Sequence, residues 1–87
     1  MSLQDVINER VSFLKEQISP NNKPIVNRTF QLQIEALRSA DLEKVAFIIL
    51  QKKAQLANCK DVRRADDLFA ELDALEWLQR QVVNHIA

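Results

Sequence analysis

Apolar residues recur along this chain at steps of three and four, the spacing that places side chains on one face of an α-helix. Leu3, Ile7, Val11, Leu14 and Ile18 form the first stripe, and Ser2 with Asp5 three residues on reads as its capping pair. The pattern predicts a helix over 3–18. The segment Ser19-Pro20-Asn21-Asn22-Lys23-Pro24 then carries both prolines and two asparagines, which is turn chemistry and predicts the main loop. Phe30, Ile34 and Leu37 form a shorter stripe, predicting a second helix over about 28–38, capped by Asn27 or Thr29.

Ser39 and Asp41 offer caps for a third helix over about 41–57, although the pattern equally allows the second helix to run into the third with only a bend. Leu42, Val45, Ile49 and Leu56 line one side of it. Ala46, Leu50 and Ala57 widen that stripe, and Phe47 and Ile48 carry apolar surface further round, so this helix is expected to be buried on more than one side. The run Val45 to Leu50 would suit a strand if isolated, but helical spacing on both flanks favours helix. Asn58 to Lys60 makes a tight connection. Asn58 is expected in the left-handed conformation at the helix end, and Asp61 as the cap of a fourth helix over 62–85. In that helix Ala65, Leu68, Leu72, Leu75, Val82 and Ile86 form the core stripe, with Phe69 and Val83 beside it. The expectation is one all-α domain over 1–87, a small bundle of three to four helices closed by an antiparallel C-terminal hairpin.

Composition narrows what such a bundle does. The 87 residues include no glycine, which removes phosphate-cradling loops, dinucleotide fingerprints and nucleophile elbows, all of which need it for sharp turns or close approach. Twelve basic and twelve acidic side chains balance, so no net field draws the chain to nucleic acid or an anionic membrane. The one cysteine, Cys59, has no internal disulfide partner, and the one histidine, His85, lies near the C-terminus without a nucleophile or ligand set beside it in sequence. Pairs of acids at turn spacing, Asp66 with Asp73 and Asp67 with Glu71, lack a ligand loop and read as a solvated face. No catalysis, metal or cofactor is expected. With no signal-peptide pattern and no apolar run longer than six residues, the expected location is the cytoplasm, without membrane insertion.

Three features exceed a plain bundle. Trp77, with Ala70, Ala74 and Leu78, makes a second apolar stripe on the fourth helix, far from Leu72; another helix of the chain covers it, or a second molecule does. Lys60, Arg63 and Arg64 collect at the turn before that helix, where cations oppose the helix dipole and exposed amides favour an anion. Lys23, Arg28 and Thr29, with Asn21, Asn22 and Asn27, gather donors around the loop; they suit an anionic ligand, or they simply build a turn and a cap. The aromatic residues are spent on apolar stripes and no helix concentrates bases for groove reading, so nucleic acid is not an expected partner.

In size, in missing glycine and in the stretch Asp73-Ala74-Leu75-Glu76-Trp77, the chain resembles small all-helical accessory proteins of bacteriophages. It is similar both to the cytoplasmic antiholins of T4-like phages and to the helical sponges that bind cyclic nucleotides against host immunity. The first resemblance implies a protein partner on the soluble face of a membrane protein; the second implies an oligomer that binds an anion. The acid-alanine-tryptophan stretch covers about a tenth of the chain, and no ligand-binding residue transfers with it. The expected function is that of a non-enzymatic oligomer, a dimer or larger, that inhibits or regulates a macromolecular partner, most simply a protein. The alternative is a sponge for a small anionic ligand such as a cyclic nucleotide.

Overall fold

The computed structural model describes residues 2–86, Ile86 by its backbone alone, and folds them into four helices with no strand among them. They are α1 (Leu3–Gln17), α2 (Pro24–Ser39), α3 (Val45–Ala57) and α4 (Val62–Ile86). The all-α bundle expected from the apolar spacing is the observed fold.

α1 starts where the sequence placed it. The Ser2 hydroxyl accepts from the Asp5 amide at 3.1 Å, and the Asp5 carboxylate accepts from the Ser2 amide at 3.3 Å, closing a reciprocal capping box. α2 corrects the expected loop. Pro24 is not part of it but opens the helix, four residues before the expected start near 28, with Lys23 as a cap residue that makes no side-chain capping bond. A proline suits this place because the first helical amide needs no partner and the ring presets the helical φ. Asn27, expected as a cap, serves the loop before it: its side-chain amide donates to the Ser19 carbonyl at 2.9 Å, and its side-chain oxygen accepts from Asn22 Nδ2 at 2.9 Å. Thr29, the other candidate cap, lies inside α2 and donates to the Ile25 carbonyl.

Ala40 takes an extended conformation, with φ −69° and ψ 132°, so the second and third helices are separate. α3 begins at Val45, not near 41, because Asp41 to Lys44 form a turn in which the Asp41 carboxylate accepts from the Glu43 amide at 3.0 Å. At its other end Asn58 departs from expectation. It has φ −101° and ψ 3°, and no described residue has positive φ. Its amide and its side chain both donate to the Ala54 carbonyl, ending the helix without a left-handed residue. Asp61 does cap α4, accepting from the Arg63 amide at 2.9 Å.

The core runs through all four helices: Ile7, Val11 and Leu14 from α1, Ile34 and Leu37 from α2, Val45 and Ile49 from α3, and Leu72, Ala74, Leu75 and Leu78 from α4. α4 is the axle, touching each of the other three, and α2 packs on α1 as well. Among the described residues the backbone of α3 runs close to that of α4 alone. The Cα trace is a slab of 37 × 33 × 16 Å. No helix among the described residues is long and apolar enough to cross a membrane.

Candidate functional site

Two regions hold the residues singled out in the sequence, and the structure sorts them differently from the spacing. The first is the second apolar stripe of α4. Ala70, Ala74 and Leu78 are buried, Leu78 completely, because α1 and α2 lie against that side of the helix. These three residues therefore belong to the interior of the chain, so of the two alternatives the spacing left open, cover by another helix of the chain accounts for them and no interface is formed by them. Trp77 is half-buried, packs against the core, and carries the Arg10 guanidinium 5.3 Å from its ring centre. The same guanidinium lies 5.3 Å from the Phe13 ring centre, so one cation of α1 stacks between its own helix and α4.

The second region is a cleft of about 650 Å3 between the starts of α2 and α4. Lys23, Arg28 and Thr29 line it from the α2 side, and Arg63 from the α4 side, together with Asp66 and Asp67. Two groups of candidate residues, far apart in sequence, thus meet at one place. Arg28 is committed there to an ion pair: its Nε donates to Asp67 Oδ1 at 3.0 Å and its terminal nitrogen to Oδ2 at 2.7 Å, a two-pronged contact that ties α2 to α4. The Arg28 hydrogen bond holds the Asp67 carboxyl below its ordinary range, and the charges of Arg28, Arg64 and Arg63 act in the same direction. Lys23 and Arg63 stay exposed at the rim.

Lys60 and Arg64 do not join this cleft. Arg64 lies one residue, or about 100°, round the helix from Arg63 and reaches Glu71 at 3.7 Å on the side facing α3. Glu71 is also bound by Lys52 of α3, so it carries two cations. Lys60 is exposed in the turn, and the Cys59 thiol donates to the Asp61 carbonyl beside it. The basic turn that looks like one cluster along the sequence is divided between two sides of α4.

The sequence reading missed where the large exposed apolar groups fall. Phe47 is 58% exposed and Leu50 66%, on a helix expected to be buried on more than one side; Ala46, Ala54 and Ala57 are exposed with them. Phe69 and Val83 of α4, expected beside the core, are 56% and 58% exposed. The available signal was α3 itself, apolar on more than one side and joined to its neighbour by a short turn, which leaves one side to pack and one to face outward. No protein-family model, no curated protein and no solved structure matches this chain.

Proposed function

We propose that this chain is a non-enzymatic helical binding protein that self-associates and, as an oligomer, inhibits or regulates a macromolecular partner, most simply another protein. One observation carries the reading. Among the described residues the backbone of α3 runs close to that of α4 alone, and Phe47 and Leu50 on its other side are 58% and 66% exposed. Contiguous exposed apolar surface on a small domain is characteristic of protein contact surfaces. Sedimentation equilibrium across micromolar to millimolar protein tests the self-association: a mass above that of a single chain is expected, and a monomer throughout would overturn it.

A second reading rests on the cleft. Lys23, Arg28, Thr29 and Arg63 converge there at the starts of α2 and α4, an arrangement of donors and cations that favours a small anionic ligand such as a cyclic nucleotide. Asp66 and Asp67 oppose it. Calorimetry against cyclic and linear nucleotides decides the matter: saturable binding that disappears in Arg63→Ala favours this reading, and absence of heat across the panel removes it.

A further inference from the structure

Resting on the proposed self-association, we infer that a second copy of this chain docks hairpin on hairpin, with the α4 stripe of one protomer laid over the α3 stripe of its partner.

The surface is built from two stripes. On α4, Val62, Phe69, Glu76 and Val83 recur every seven residues and so lie along one line of the helix. On α3, Ala46, Leu50, Lys53 and Ala57 follow at steps of four, three and four and lie along another. The ion pair between Lys53 Nζ and Glu76 Oε1 at 3.2 Å joins the two, which places both stripes on the same broad side of the slab. Each stripe is thus apolar at three of its four positions, and its single charge is matched by the other stripe. Val62, at 75%, is the most exposed of the large apolar residues.

A second copy fits this face better than an arbitrary partner because the face complements itself. Consider a two-fold axis parallel to the helices and midway between α3 and α4. It lays α3 of one protomer over α4 of the other at the same level, because rotation about that axis preserves height along it. Lys52 pairs with Glu71 and Lys53 with Glu76 inside the chain, so levels are matched where residue numbers sum to between 123 and 129. On that register Phe69 lies over the Ala57 position of the second copy and Val83 over Ala46, bulky on small in both cases. Glu76 lies over Lys53, so the two ion pairs close into a ring of alternating charge and no like charges meet. Placing α3 on α3 instead would bring Lys53 towards its own copy.

Size agrees with this assignment. A stable interface takes roughly 800 Å2 from each partner, which is more than one side of a 13-residue helix, about 20 Å long, presents. Two adjoining helices supply it. The result is a four-helix bundle in which α3 gains the second neighbour it lacks in the single chain.

The experiment is sedimentation equilibrium on the full chain, with circular dichroism to verify folding. The expected species is a dimer of twice 10.1 kDa. Phe69→Lys should weaken it at least tenfold, while Phe47→Lys, on the outer edge of α3 and away from this face, should change it less than twofold; both positions are more than half exposed, so both variants should fold. Lys53→Glu and Glu76→Lys should each be monomeric alone, through repulsion of like charges, and should form a heterodimer when mixed. A dimer that survives Phe69→Lys, or one that Phe47→Lys breaks, overturns the hairpin face and leaves self-association standing. A wild-type monomer at millimolar concentration overturns both.

Discussion

α3 and α4 are both apolar on two sides, and they end in opposite situations. α4 has α3 on one side and α1 with α2 on the other, so Leu68, Leu75 and Leu78 are almost wholly removed from water. α3 has one neighbour; Val45 and Ile49 are buried against it while Phe47 and Leu50 stay more than half exposed. Hydrophobicity along the sequence does not separate the two helices. What separates them is how many neighbours the topology brings, because a second apolar stripe becomes core only when another helix reaches it.

Truncating one leucine of each helix should separate buried from exposed most strongly. Leu78→Ala should lower unfolding free energy in urea by about 2–5 kcal/mol, from lost transfer energy plus a cavity. Leu50→Ala should stay within about 0.5 kcal/mol when measured below the concentration of any self-association. Equal losses would mean that α3 is covered within the chain.

Trp77 sharpens the same contrast at a smaller magnitude. Trp77→Ala should cost about 2–3 kcal/mol, below the 3–5 kcal/mol typical of fully buried large aromatics, because the ring is partly exposed but holds Arg10 and packs on the core. The loss should be the same at every protein concentration. A loss confined to high concentration would return Trp77 to an intermolecular contact.

Removing the capping box by Ser2→Ala should cost about 1 kcal/mol, with α1 fraying from its start. α1 covers the second stripe of α4, so the Trp77 emission should shift to the red as it loosens; α3, which touches only α4, should be unaffected by the same change.

The smallest effect concerns pH. The folded Asp67 carboxyl sits below its unfolded value, so its pair with Arg28 stabilises the fold above the ordinary carboxylate range and that contribution fades as pH falls through the lowered value. Asp67→Asn should therefore be less stable than wild type at neutral pH, and the gap should close towards acid in urea titrations at stepped pH. A gap that widens in acid would contradict the sign of the shift.

Much of the fold was legible locally. The stripes of α1 and α2, the Ser2 and Asp61 caps and the short turn between α3 and α4 are written in neighbouring residues, and local hydrogen bonds realise them. Pro24 misled because a proline reads equally as the end of a loop or as the first residue of a helix, and only the chain that follows distinguishes the two. Asn58 misled because a helix can end on a side-chain bond to its last carbonyls without a left-handed residue.

The candidate sites were less legible. Lys23, Arg28, Thr29 and Arg63 share a cleft only because α2 and α4 start side by side, and Arg63 and Arg64 part company because neighbours on a helix point about 100° apart. Spacing and backbone chemistry within a few turns were enough for three to four helices, most of their ends and the two apolar sides of α3 and α4, while the break at Ala40 that makes the helices four came from the structure. Only the tertiary structure decided which second side is core and which is surface. That outcome depends on where α1 and α2 dock, a contact between residues distant along the chain, and they dock on α4.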